Sequence, residues 1–418
     1  MVPLKLSVVI TFIIGYALIT FEHKVSINKA ATAILTGVLC WIWSLIAGFP
    51  QNDVALVALN AHLADIAQIM LFLLGAMTIV ELIDSHRGFK FITSFIATQN
   101  KRVLLWEVAF VTFFCSSILD NLTTSIIMIT LLRQLIEDKK VRMVYAGMVI
   151  IAANAGGAWT PIGDVTTTML WIGGRITSGN VIKQLFLPSL FSMLVPLIYL
   201  TYKVKRDIPA KTLSFNDEPA AYGAKRIFAL GIGALIMVPV LRVSTGLPPY
   251  LGVLLGLGLM WGLTDLIHQE RHFLKVPHVL TKVDISSILF FLGILLAVSA
   301  LEYAGILERL TLWTDSHVGD KNIIISGVGV ISSVIDNVPL TAAVMGMYDL
   351  TGYPMDSKIW EMTAYCAGTG GGLLIIGSAA GVVVMGMEKI RFSWYLKRIS
   401  LPALMGYLSG LALVILWL

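Results

Sequence analysis

The sequence predicts an all-α polytopic membrane protein, and three observations support that class. Hydrophobic residues make up 57% of the 418 positions. Charged residues make up only 13%, well below the roughly 25% that is usual in soluble globular proteins. The apolar residues are also gathered into long runs, and a helix that crosses a bilayer needs about 20 of them. A water-soluble multidomain enzyme is therefore excluded.

The apolar runs form two similar series, separated by a polar stretch at 203–226. We interpret the first run as a retained membrane span, because no small-residue cleavage site follows it. The runs of the first series lie near 4–21, 28–47, 61–83, 103–118, 122–136, 143–156, 164–173 and 184–202. Those of the second lie near 226–241, 249–267, 284–302, 321–335, 338–350, 358–370, 378–387 and 399–418. Several runs are too short to span alone, and the back-to-back pairs predict re-entrant hairpins or discontinuous helices.

An internal repeat relates the two series. Three segments recur at nearly the same offset: 116–121 (Ser-Ser-Ile-Leu-Asp-Asn) at 332–337, 156–163 at 370–377, and 73–75 at 291–293. One such match could arise by chance, but three matches in the same order indicate a duplicated half.

The repeat predicts two inverted halves, each with five spans, one of them broken, and a re-entrant helical hairpin. The inversion follows because an odd number of spans reverses the direction in which the second half enters the membrane. The first repeat is placed at 1–202, with its hairpin at about 103–137 and its broken helix at about 143–173. A linker at 203–225 leads to the second repeat at 226–418, with its hairpin at about 321–350 and its broken helix at about 358–388.

The placement of Lys and Arg predicts the orientation. A cytoplasmic linker leaves both termini outside and puts 23 of the 30 Lys and Arg residues on the cytoplasmic side. The first hairpin then enters from the cytoplasm and the second from outside. We expect a multi-pass protein of the inner (plasma) membrane, surrounded by the lipid bilayer and without a nucleic acid partner.

Polar residues inside the apolar runs mark the candidate site, because each is unfavourable in the membrane unless it faces protein or water. They lie at the hairpin tips and at Gly-rich or Thr-Pro breaks, where backbone groups lose their helical partners. Carboxylates, amide oxygens and hydroxyls suit a small hard cation, and a carboxylate can hold a proton instead. The candidates are Asp120, Asn121, Thr123, Thr124, Asn154, Thr160, Asp164, Thr166, Thr167, Asp336, Asn337 and Ser378.

The Asp-Asn hairpins and the segment Thr160-Pro-Ile-Gly-Asp-Val-Thr-Thr167 resemble the NhaD sodium/proton antiporters of the ion transporter superfamily. The resemblance implies Na⁺/H⁺ exchange, extended to Li⁺, by an inverted-repeat homodimer with scaffold and transport domains. It implies functional roles for Asp120, Asn121, Asn154, Asp164, Thr166, Thr167, Ser332, Ser333 and Asn337. We place Na⁺ at Asp120, Asn121, Asp164 and Thr166.

The second half departs from this pattern at its broken helix. Gly368, Leu374 and Ser378 stand where the first half has Asn154, Thr160 and Asp164. Serine carries no proton at neutral pH, so we expect the first half to hold the main cation and the coupling proton.

Several alternatives remain open. The aspartates of the hairpins and of the first break could serve only as helix caps. An arsenite or other small-substrate permease of the same fold is the second candidate, whereas a dicarboxylate would be repelled by three aspartates. An intramembrane aspartyl protease is disfavoured because a catalytic pair needs no second copy. The sequence contains no phosphate-binding Gly-x-x-x-x-Gly-Lys motif and no Cys-x-x-Cys pair, so we expect no ATP-driven pump, no enzyme and no cofactor.

Overall fold

A computed structural model shows a helical protein with no β-strand among the residues it describes, which are 2–20, 22–48, 53–90, 98, 100–203, 221–268 and 271–417. Most of the predicted linker, at 204–220, lies outside the described residues. The helices of the first half are α1 (Val2–Thr20), α2 (Glu22–Val25), α3 (Lys29–Gly48), α4 (Asp53–Ser85), α5 (Lys101–Leu119), α6 (Asn121–Leu135), α7 (Lys139–Ala158), α8 (Val165–Ile172) and α9 (Ser178–Lys203).

The second half repeats much of this order. Its helices are α10 (Ala224–Thr245), α11 (Pro249–Ile267), α12 (Val276–Val279), α13 (Ile285–Tyr303), α14 (Ile306–His317), α15 (Lys321–Ile331), α16 (Asn337–Met347), α17 (Lys358–Gly370), α18 (Ala379–Glu388), α19 (Phe392–Arg398) and α20 (Ser400–Trp417). Nine helices of the described residues are long and apolar enough to cross a membrane, which confirms the all-α membrane class.

The two hairpins differ in length. Helix α5 has 19 residues and is long enough to span, although its apolar run alone predicted a short arm. It begins at Lys101 because the side chain of Asn100 accepts a hydrogen bond from the Arg102 backbone N–H, at 3.0 Å. Its partner α6 has 15 residues, whereas α15 and α16 have 11 each.

The broken helices are interrupted between α7 and α8 and between α17 and α18. In the first interruption Pro161 has no backbone N–H to continue a helix. Glycine before each interruption permits close packing on the hairpin of the same half. A Cβ on Gly156 would meet the Phe113 carbonyl, and a Cβ on Gly370 would meet the Gly329 carbonyl.

The two halves pack across each other at these interruptions. Helix α8 of the first half contacts α16 and α17 of the second, and α18 of the second contacts α6 and α7 of the first. The remaining long helices form pairs around this centre, among them α3 with α13, α9 with α20 and α10 with α11. Each break therefore lies against a hairpin from the opposite half.

Candidate functional site

Asp164 is the centre of a buried cluster built by both halves. It lies at the N-terminus of α8, is 2% exposed, and occupies the cap position without accepting a capping hydrogen bond. Its Oδ2 accepts hydrogen bonds from the Thr166 hydroxyl at 3.0 Å and from Asn337 Nδ2 at 3.2 Å. Among the described residues no Lys or Arg forms a salt bridge with it. We call Asp164, Thr166 and Asn337 the carboxylate cluster.

A second cluster has the related arrangement without a carboxylate. The Nδ2 of Asn154 donates to the Ser378 hydroxyl at 3.1 Å and to the Ile150 carbonyl at 3.0 Å. Its Oδ1 accepts from Asn121 Nδ2, also at 3.1 Å. All three side chains of this amide cluster, Asn121, Asn154 and Ser378, are buried. A residue from a hairpin tip and one from a break thus meet in each cluster.

Glycine makes room for the carboxylate. The sequence offset between the two halves aligns Gly368 with Asn154. A Cβ placed on Gly368 would lie 3.3 Å from Asp164 Oδ2 and 3.1 Å from Ala158 Cβ. A side chain at position 368 would therefore crowd Asp164. The carboxylate cluster can keep its observed geometry because residue 368 is glycine.

The hairpin aspartates have capping roles in this structure. Asp120, whose φ is +79°, accepts hydrogen bonds from the Thr123 backbone N–H at 2.8 Å and from the Thr123 hydroxyl at 2.9 Å. Asp336 accepts from the Val338 backbone N–H at 3.3 Å. Asp120 also lines a mainly apolar cavity of about 60 Å³ together with Asn121 and Thr168. Asp120 interacts electrostatically with Asp164, but among the described residues it shares no hydrogen bond with the carboxylate cluster.

The remaining candidates contact the backbone. The hydroxyls of Thr160, Thr167, Ser332 and Ser333 donate to the carbonyls of Ser117, Ala158, Gly329 and Val330, respectively. The Thr124 hydroxyl is buried without a hydrogen-bond partner among the described residues. The Thr160 bond joins the first break to the first hairpin, and a second bond from Ser332 to the Ala367 carbonyl joins the second hairpin to the second broken helix. The Ser333 bond stays within its own hairpin.

Sequence reasoning missed an ion-pair group at the ends of α6, α7 and α18. Glu388, whose side chain is 1% exposed, lies 2.8 Å from Arg133 Nε and 2.8 Å from Arg142 Nε. Arg133 also donates to the Met387 carbonyl. The sequence places Glu388 just beyond an apolar run, where a solvated position is the ordinary expectation. Only the fold shows that two arginines of the first half enclose it.

Comparisons with known proteins bear on this site. Residues 16–368 match the citrate transporter family. Sodium/proton antiporter 2 of Arabidopsis thaliana is 48% identical over 410 residues, which cover 96% of each chain. Sodium/proton antiporter 1 of the same plant is 51% identical over 413 residues, or 97% of this chain and 71% of its own length. The Na⁺/H⁺ antiporter NhaD of Alkalimonas amylolytica is 30% identical over 442 residues, or 97% of this chain and 89% of its own.

The crossed broken helices surround a buried carboxylate that has no cationic partner among the described residues. In a chain with these relatives, they define a multi-pass membrane transporter and not an enzyme. The chain belongs to the citrate transporter family and, within it, groups with the NhaD antiporters, as the sequence motifs predicted.

Proposed function

We propose that this protein exchanges Na⁺ for H⁺ across the membrane and that Asp164 is the carboxylate for which the two ions compete. The observation that carries the proposal is the environment of Asp164, a buried acidic side chain with oxygen-bearing neighbours and no cationic partner among the described residues. A buried charge without a partner is unfavourable. Binding a cation or a proton removes that penalty, and only one of the two is needed at a time.

The surrounding groups fit a small hard cation. The Asp164 carboxylate and the Thr166 hydroxyl offer oxygens from one side, and the interruption before α8 frees backbone carbonyls nearby. In a Na⁺-bound state the Asn337 amide would turn its oxygen, in place of its NH₂ group, toward the ion. A proton on Asp164 would replace the ion and leave the cluster neutral.

The packing of the halves supports alternating access. Asp164 belongs to the first half, whereas Asn337 belongs to the hairpin of the second. A movement of the halves relative to each other would therefore change the ion's oxygen shell and its route to solvent. Exchange then requires that the two halves rarely move while Asp164 is charged and binds neither Na⁺ nor a proton.

Further features of the proposal come from the resemblance and from charge placement. We propose that Li⁺ is also exchanged, that the protein is a homodimer in the inner (plasma) membrane, and that the linker is cytoplasmic. Lys and Arg clustering on one predicted side supports the orientation. A reporter fused within the linker should read as cytoplasmic, and one fused at residue 418 as external. An external linker would contradict the inverted placement.

Other substrates fit the carboxylate cluster less well. Citrate carries several negative charges at neutral pH, and Asp164 would repel it in the absence of a neighbouring cation. Arsenite is neutral and would escape this repulsion, but a neutral substrate gives no reason for a buried unpaired carboxylate. Of these substrates, a small cation best explains the buried carboxylate of Asp164.

Dye-monitored proton flux in everted membrane vesicles tests the proposal. Na⁺ and Li⁺ should each release protons, whereas K⁺, arsenite and citrate should not. Asp164→Asn should remove the response, and Asp65→Asn, at an exposed carboxylate on α4, should leave it unchanged. A wild-type protein without a Na⁺ response would contradict the assignment.

A further inference from the structure

Basic side chains line a large cavity away from the two clusters. The cavity has a volume of about 650 Å³ and is formed by residues of α5, α7, α9 and α19 and the residue that follows α19. Its basic members are Lys101, Lys140, Lys203, Lys397 and Arg398. Its other members are Val141, Val144, Tyr199, Leu200 and Ile399. The cavity thus combines a strongly positive rim with an apolar wall.

The positive charge of this basic cavity is not neutralised by the described residues. No Asp or Glu lines it, and none of its five cations takes part in a described salt bridge. Lys203 instead places its amine over the Tyr199 ring, 5.5 Å from the centroid. Lys101 is only 7% exposed. Several like charges around one cavity repel one another, so an anion bound among them would stabilise the structure.

The position of the cavity indicates what kind of anion fits. Helices α5 and α7 begin at it and α9 and α19 end at it, so it lies at one face of the membrane. Large hydrophobic side chains within two residues of its lining residues in the chain are exposed: Ile198 by 45%, Tyr202 by 78% and Leu401 by 56%. A free phosphate ion would satisfy the charges but would leave this apolar surface without a partner. A phosphate that carries acyl chains would cover both.

We propose that the basic cavity binds the phosphate headgroup of an anionic phospholipid, with the acyl chains along the apolar surface of α9 and α20. Basic pockets between membrane helices bind such headgroups through several Lys and Arg contacts. The bound lipid bridges α5 and α7, which carry the first hairpin and the first break, to α9 and α19. The lipid therefore holds the ends of these four helices together, and its site is independent of the transported ion.

Thermal unfolding of the purified full chain in a neutral detergent tests this proposal. Phosphatidylglycerol should raise the melting temperature, whereas phosphatidylcholine and inorganic phosphate at the same concentration should not. Lys140→Gln with Lys397→Gln should weaken the apparent affinity for phosphatidylglycerol about 25-fold, since each lysine contributes about fivefold near an anionic lipid.

The matched control is Lys139→Gln with Arg391→Gln, which removes the same charge from neighbouring exposed positions that do not line the cavity. The control should keep the wild-type affinity and the wild-type unfolding temperature without lipid. The cavity variant should unfold without lipid at or above the wild-type temperature, because removing two of the five cations relieves their repulsion. Equal stabilisation by inorganic phosphate would assign the cavity to a free anion and overturn the lipid proposal. Equal loss in the two double variants, or no effect of phosphatidylglycerol on the wild type, would also overturn it.

Discussion

The two broken helices share a backbone design but differ in the side chains at their breaks. The first presents Asp164 and the second presents Ser378, and each meets an asparagine that the other half contributes. The exchange of Asn154 for Gly368 accompanies this difference, because it opens the space beside the carboxylate. Of the two breaks, the first therefore presents an ionisable group and the second presents neutral hydrogen-bonding groups.

This comparison assigns different tasks to the halves. A neutral amide and hydroxyl cannot gain or lose a proton near neutral pH, so the amide cluster cannot couple the two ions. The amide cluster can instead fix the position of the two broken helices relative to the first hairpin. Asn154 accepts a hydrogen bond from Asn121 of that hairpin and donates one to Ser378 of the second broken helix. We expect substitutions in the carboxylate cluster to affect coupling and those in the amide cluster to affect affinity or stability.

The largest expected effect is at the pair Asp164 and Ser378. Asp164→Asn should abolish exchange at every pH, because the amide cannot carry the proton. Ser378→Ala should mainly weaken the apparent affinity for Na⁺, and Asp164→Glu should retain some activity with a displaced pH profile. Vesicle assays across pH and Na⁺ concentration measure both properties. An inactive Ser378→Ala beside an active Asp164→Asn would move the coupling site to the second half.

A large effect is also expected at the first hairpin tip. Asp120→Asn keeps a side chain that can cap α6 but removes its charge. We expect normal membrane insertion and lost Na⁺-driven proton exchange, because the charge of Asp120 interacts electrostatically with Asp164. Unchanged exchange with unchanged Na⁺ affinity would show that Asp120 acts only as a helix cap. Asp336→Asn in the same assay compares the two tips directly.

A smaller effect is expected from filling the space at Gly368. The Cβ of Gly368→Ala would lie 3.3 Å from Asp164 Oδ2 and should displace the carboxylate from its neighbours. We expect the apparent Na⁺ affinity to fall about tenfold, which corresponds to ~1.4 kcal/mol, within the range for overpacking. Gly327→Ala is the matched control, since nothing lies within 4 Å of its Cβ. Similar affinities for the two variants would remove Gly368 from the site.

The smallest effects on transport are expected at the ion-pair group of Arg133, Arg142 and Glu388, where stability should change instead. Arg142→Gln should destabilise the protein by about 3 kcal/mol, because it leaves the buried Glu388 partly unpaired. Arg133→Gln should have an effect of at most about 1 kcal/mol, since that side chain is 45% exposed. Chemical unfolding in detergent measures both. The reverse order would show that Arg133 is the principal partner of Glu388.

Much of this arrangement could be predicted from the sequence. The apolar runs predicted the membrane class because the backbone of a span must satisfy its own hydrogen bonds. The Asp-Asn segments predicted the two hairpins, and the Gly-Gly segments predicted the two helix breaks. The length of α5 was underestimated because the cap at Asn100 extends the helix beyond its apolar run.

The pairing of the site side chains, in contrast, follows from the way the two halves pack. A repeat offset relates equivalent positions, whereas the clusters join non-equivalent ones, Asn337 with Asp164 and Asn154 with Ser378. The helix interruptions and the membrane class could be predicted without the fold, since they depend on local composition and backbone chemistry. Which buried carboxylate lacks a cationic partner depends on how the halves cross, because the groups concerned lie more than a hundred residues apart in the chain.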